Sequence, residues 1–349
     1  MKLKVSRDVL IPIASVLVAL GIGAILIAAQ GHSPVQAYHV LIVRGFQSAA
    51  GLQSTLSKAG VLIMSGLAIT IGLRAGLFNI GAQGQVLSGA LAFTYIGYRL
   101  HGLPIWVHLP IALVVGAAFG ALVGGFAGFL KATRGVHEVI STIMLNSIMA
   151  GVVDYLTQNQ FRLKNQPNTR TPDILHSARL PHIFGYPSGF LIAILLAFFV
   201  SWVLKKTTTG FEFESVGRNR YAAWYAGISV KKTIVLGMLV SGALAGFTGA
   251  IFSSETTGYF VPAFYSGIGF DGITVALLGR ANPKALIPGA IFIGGMRSAQ
   301  SAIQFEAGVA PDIINLLLAL VLFFATAPFL AKLLKSNVKS IATTSGWGL

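Results

Sequence analysis

Apolar runs of about helix-spanning length alternate with short polar connections along almost the whole chain. They cover roughly residues 9–29, 58–73, 80–98, 105–130, 138–156, 189–204 and 233–253, then a run ending near 278, then 285–301 and 312–331. A bilayer core is crossed by about 20 apolar residues in a helix, and a backbone in hydrocarbon has to satisfy its own hydrogen bonds. The pattern therefore predicts an all-α integral membrane protein with about ten transmembrane helices. Polar connections are expected at Gln30–Ser57, Thr157–Ser188 and Lys205–Lys232, with a short turn at Gly279–Lys284. The first run follows Lys2, Lys4 and Arg7 but is too long for a signal peptide, so it is expected to stay as a membrane span.

One stretch departs from the apolar pattern. Between Gly72 and Gln85 lie Gly76, Gly81 and Gly84, with Arg74, Asn79, Gln83 and Gln85 among them. Free amides and carboxamides facing lipid cost several kcal/mol each, so such a segment belongs inside protein or beside a wet cavity. A helix break and a solute contact are expected here. The stretch has an echo: Ser65-Gly-Leu-Ala68 and Asn79–Gly84 are matched by Ser241–Ala245 and Gly267–Gly272. The second copy carries an aromatic insert with Tyr259, Phe260, Phe264 and Tyr265. Five spans per half make the halves inverted, and inverted halves with broken segments at matching positions are a transporter signature.

Composition narrows the picture further. Of 349 residues, 54% are hydrophobic and 10% charged, against about 25% charged in soluble domains. The net charge of +15 is read as loop anchoring rather than nucleic-acid binding, because cytoplasmic loops of membrane proteins are rich in Lys and Arg. An N-in, C-in orientation puts most of the basic residues inside, including Lys131, Arg134, Lys205, Lys206, Arg218 and Lys232. The expected organisation is one permease-like domain over 1–349. Half one covers about 9–156 and the outer loop 157–188. Half two covers about 189–331, with an inner loop at 205–232 and a basic tail at 332–349. There is no cysteine, so thiol chemistry and disulfides are excluded. No phosphate-binding G-x-x-x-x-G-K-[ST] motif and no metal-spaced histidine pair occurs. The embedded acids Glu138, Asp154 and Asp271 are thin provision for an enzyme or a proton relay. Glu138 is expected either to have a structural partner such as Arg134 or Arg74 or to serve transport, and Arg297 to pair with a carboxylate or backbone carbonyls.

The inner loop contains Gly210-Phe-Glu-Phe-Glu-Ser-Val-Gly217 and Asn219-Arg-Tyr-Ala-Ala-Trp-Tyr-Ala-Gly-Ile228. A short helix from Asn219 to Ala226 would expose Tyr221, Trp224 and Tyr225, and such apolar patches mark protein contacts. A helix lying on the membrane surface is the alternative. This loop, Gly76-Leu-Phe-Asn-Ile-Gly-Ala-Gln-Gly-Gln85 and Gly267-Ile-Gly-Phe-Asp-Gly-Ile-Thr-Val-Ala-Leu-Leu-Gly279 together resemble motifs of ABC importer permeases. The group in question serves branched-chain amino acids, simple sugars and nucleosides. Phe78–Gly81 and Val136–Asn146 look most like the nucleoside (guanosine-type) branch, with His137 as a departure.

The resemblance implies a plasma-membrane permease subunit without its own ATP site and with no cofactor or metal on this chain. ATP and Mg would bind two partner ATPase subunits. A second, related permease chain and an extracellular binding lipoprotein would complete the assembly. It also implies coupling to the ATPases through Gly210, Glu214, Gly217, Asn219, Ala222, Ala223 and Gly227. A nucleoside suits aromatic faces and carboxamides, so the expected path residues are Phe78, Asn79, Gln83, Gln85, Asn146, Phe264, Tyr265 and Asp271; hydrogen bonding between helices is the alternative for Asn146 and the glutamines, and capping or pinning of the eighth helix for Asp271. Glu138, Thr142, Asn146 and Met149 share one helical face. The alternatives are a simple-sugar permease of the same architecture and, from another class, an ion-coupled secondary carrier.

Overall fold

The computed structural model describes residues 7–326 apart from 165, 167, 168 and 184. The expected basic tail and the end of the last apolar run lie outside the described residues. Within them the chain is mostly helical. The helices are α1 (Arg7–Ala29), α2 (Pro34–Ile42), α3 (Ala49–Arg74), α4 (Ala82–Arg99), α5 (Ile105–Arg134), α6 (Glu138–Asn159) and α7 (Ser188–Lys206). They continue with α8 (Thr208–Arg218), α9 (Arg220–Tyr225), α10 (Val230–Phe252), α11 (Ile268–Leu278), α12 (Leu286–Ala307) and α13 (Asp312–Thr326). A two-residue hairpin, His182–Ile183 with Tyr186–Pro187, is the sheet content among the described residues.

Helices α3, α5, α6 and α7, and the segment Val230–Thr257, are long and apolar enough to cross a membrane. Ile13–Ala29, Pro262–Leu278 and Asp312–Phe324 are shorter apolar helical segments. The protein is thus a multi-pass helical membrane protein. The stretch Gln30–Ser57 is not a polar connection, as expected, but mostly helix. Ser33 caps α2 by accepting from the Gln36 amide, and Ser48 caps α3 by accepting from the Gly51 amide. The polar composition of this stretch hid two helix starts, each signalled by a serine. The inner loop is also more ordered than expected: it forms two helices, with Asn219 as the shared joint between α8 and α9.

α3 sits at the centre, with Ala59 to Gly72 buried without a break. A helix apolar on all sides is stable only when surrounded. It packs against α7, α10, α11 and α12. α10 lies against α5 along a seam of glycines, where a Cβ on Gly120 would collide with the Gly242 carbonyl and one on Gly246 with the Gly116 carbonyl. Small residues let membrane helices approach to backbone contact, where packing replaces the missing hydrophobic drive. α6 is the opposite case: it touches α4 and α5 and leaves most of its surface exposed.

Candidate functional site

The broken stretch begins where α3 ends. Gly76 is left-handed at φ +70°. The Leu77 amide donates to Gly72 O at 2.9 Å and the Gly76 amide to Leu73 O at 3.1 Å. These are the two bonds of a glycine-stopped helix end, so the break follows directly from Gly76. The chain then crosses the bundle interior as 77–81 and starts α4 at Ala82.

Every expected carboxamide in this region is consumed by the fold. Asn79 and Gln85 bond reciprocally: Asn79 Nδ2 donates to Gln85 Oε1 at 2.8 Å and Gln85 Nε2 to Asn79 Oδ1 at 3.1 Å. Asn79 Nδ2 also donates to Ser241 Oγ at 2.8 Å, and Ser241 Oγ donates to Ala68 O at 2.6 Å. Gln83 Nε2 donates to Tyr265 O at 2.8 Å, while its Oε1 accepts from the Gly269 amide at 2.9 Å. Asn146 Nδ2 donates to Ile80 O at 2.9 Å, and its Oδ1 accepts from the Gly84 amide at 2.8 Å. Asn79, Gln83 and Gln85 are buried. Gln83 and Asn146 thus supply partners to backbone groups at the breaks, while Asn79 and Gln85 satisfy each other and Ser241, which keeps polar groups paired at membrane depth.

The two echoed segments meet through these bonds. Ser65, in the first copy, donates to Ile268 O at the start of α11 (3.1 Å), while Ser241, in the second copy, accepts from Asn79 in the first break. Gln83 bridges one break to the other. A π-turn at Ser253–Thr257 and a 3-10 turn at Pro262–Tyr265 make the second break. Its aromatic insert is partly core: Tyr265 is fully buried, stacks on Phe260 at 4.8 Å and shares a 2.7 Å hydrogen bond with Ser253 Oγ. Phe264 is 49% exposed and Phe78 is half-buried.

Asp271 is also committed within the chain. Arg297 Nε and Nη2 donate to its two oxygens, each at 2.8 Å, and Arg297 Nη1 donates to Asn315 Oδ1 at 2.5 Å. The pair links α11, α12 and α13. The expectation of a carboxylate partner for Arg297 is met. Glu138 is paired with Lys131, not with Arg134 or Arg74. Lys131 lies in the last turn of α5, seven residues before Glu138 across the Gly135 turn, so the connection itself brings them together.

The helical face of Glu138, Thr142, Asn146 and Met149 proves to be a packing face. A Cβ on Gly81 would stand 3.0 Å from Thr142 Cβ, and one on Gly84 3.2 Å from Met149 Cβ. The far side of α6 carries Ser147, Gly151, Asp154 and Gln158, all exposed. Their i, i+4, i+7, i+11 spacing aligns them in one stripe. Gln158 Nε2 donates to Asp154 Oδ2 at 2.6 Å, and open space surrounds Gly151. Sequence reasoning noted Asp154 as an embedded acid but passed over the stripe. Its signal was the spacing, read on the face opposite Asn146.

Between α8 and α9, Asn219 Oδ1 accepts from the Tyr221 and Ala222 amides, both at 3.0 Å, and so starts α9. Tyr221, Trp224 and Tyr225 are exposed, while Ala223 is buried at 3%. Gly210 lies against α7 and Gly217 against the end of α3. Gly227 turns left-handed at φ +82° to lead into α10. Ala222 is exposed beside these aromatics, and Glu214 pairs with Arg218 at 2.7 Å. A cavity of about 190 Å³ opens between Ala75–Leu77 and Val216–Tyr221.

Residues 51–326 match the family described as branched-chain amino acid transport system / permease component. The chain belongs to this family. The permease is 34% identical to the guanosine ABC transporter permease protein NupP of Bacillus subtilis, over 95% of this chain and 96% of that protein. It is 32% identical to the nucleoside ABC transporter permease protein NupB of Lactococcus lactis, over 96% and 95%. A glucose ABC transporter permease protein, TsgB13 of Haloferax volcanii, is 31% identical over 90% of this chain and 86% of its own. As a permease component, the chain is a transport subunit rather than an enzyme.

Proposed function

We propose that this permease forms half of the membrane channel of an ATP-driven nucleoside importer in the plasma membrane. The observation that carries the substrate is likeness over nearly the full chain to two permeases named for guanosine and nucleoside transport. In this reading ten helices cross the membrane in two inverted halves with both ends inside, and the whole chain is one domain. Two ATPase subunits, which bind ATP and Mg, dock on the exposed Tyr221, Trp224 and Tyr225 of α9. A binding lipoprotein delivers substrate outside.

The route runs along the exposed stripe of α6, against a second permease chain, rather than among the carboxamides. An ionisable side chain in a membrane faces a wet cavity or a bundle interior, not lipid. Asp154 and Gln158 are exposed in the isolated chain, so a partner chain and water have to cover them. Phe264, on a turn packed against α6, adds an aromatic surface for a base. Asn79, Gln83, Gln85, Asn146, Tyr265 and Asp271 then hold the walls.

Uptake of labelled guanosine into cells expressing the full importer tests the substrate. Excess adenosine or uridine is expected to compete and excess glucose or ribose is not. The reverse order favours the sugar-permease reading, to which the glucose permease relative gives support.

A further inference from the structure

Arg74 ends α3 and joins three parts of the molecule. Its Nε donates to Ala281 O at 2.8 Å, and its Nη1 lies 3.5 Å from Glu214 Oε1 on α8. Below it the backbones touch: a Cβ on Gly76 would sit 2.8 Å from Gly217 Cα, and one on Gly217 would collide with the Arg74 carbonyl. The end of α8 is thus seated on the first helix break. Ala281 lies in the α11–α12 turn, where Arg280 and Ala281 are both left-handed at φ +53° and +51°. Two such non-glycine residues in succession persist only where their surroundings hold them. The guanidinium on the Ala281 carbonyl is one such hold. Both Arg74 and Glu214 are about one-third exposed, so their contact contributes little to stability. Its geometry, however, ties a surface helix to the ends of α3 and α11.

We propose that Arg74 is a positioning residue that passes movement of the α8–α9 pair to the first helix break and to the α11–α12 turn at once. The strained Arg280–Ala281 turn is the element it holds under load. The inference rests on the reading that ATPases dock on α8–α9. Removing the guanidinium leaves ATP hydrolysis running but disconnects it from transport.

The test uses the complete complex, with its partner permease, ATPases and binding protein, in lipid vesicles. Phosphate release and labelled guanosine uptake are measured in the same sample. Arg74→Met is expected to keep phosphate release within about twofold of wild type while uptake falls at least tenfold. Arg74→Lys, which can reach one of the two acceptors, is expected to give an intermediate ratio. Ala281→Gly relaxes the turn without touching the guanidinium and is expected to lower the ratio in the same direction. Unchanged ratios in all three variants, or uptake and hydrolysis falling in parallel, overturn the proposal. A wild-type complex whose phosphate release drives no uptake overturns the importer reading, and the proposal with it.

Discussion

Asp271 and Arg297 show how a single side chain decides the fate of its neighbours in this protein. Their bidentate pair is mostly shielded, and removing one partner of a buried pair typically costs about 3–5 kcal/mol, because the other charge is left alone. Asp271→Asn is therefore expected to lower the unfolding temperature in detergent sharply. The double variant Asp271→Asn/Arg297→Gln is expected to recover part of the loss, and a double variant no better than the single one would contradict the pairing. The carboxamides obey the same accounting. Gln83→Leu strands the Gly269 amide and the Tyr265 carbonyl, and buried groups left unpaired cost about 1–3 kcal/mol. Its effect is expected on stability first, measured by thermal unfolding, with guanosine competition among substrates unchanged. The residue types at 79, 83 and 85 were legible in the sequence as out of place in hydrocarbon. What they bond was not, because a carboxamide that lines a path and one that pins a helix break have the same composition and spacing.

Elements were readable in proportion to their periodicity. The long apolar runs foretold where helices stand. Helices α2 and α8 were missed because their sequences are mixed and their starts rest on one serine or threonine cap each. On α6, the face of Glu138, Thr142, Asn146 and Met149 is packed against the glycine edge of α4, a feature of packing that one helix's sequence does not carry. α5 and α10 illustrate the cost of a tight seam. Gly246→Leu has to force the seam apart, and overpacking costs typically 1–3 kcal/mol. Thermal unfolding is expected to register it, whereas Gly151→Leu, which meets open space, is expected to leave stability unchanged. For α9, Ala223→Glu places a charge at a 3% exposed position beneath the aromatic patch. Membrane insertion is expected to persist while ATPase co-purification is lost; retained co-purification would remove α9 from the docking surface.

At the scale of the molecule, the two echoed segments are stitched together by Ser65, Ser241 and Gln83. The proposed route lies outside this fully bonded centre, along the α6 stripe, where a second permease chain is proposed to pack. The absence of cysteine gives a clean background for locating that route. The direct measurement is the rate at which a membrane-impermeant maleimide modifies single cysteines in the assembled importer, with and without guanosine and its binding protein. Gly151→Cys and Ser147→Cys are expected to react readily and to be slowed at least several-fold by substrate, while Asn79→Cys and Gln83→Cys stay unmodified. Rapid, substrate-protected labelling at 79 or 83, with 147 and 151 inert, would contradict the account and return the path to the carboxamide centre.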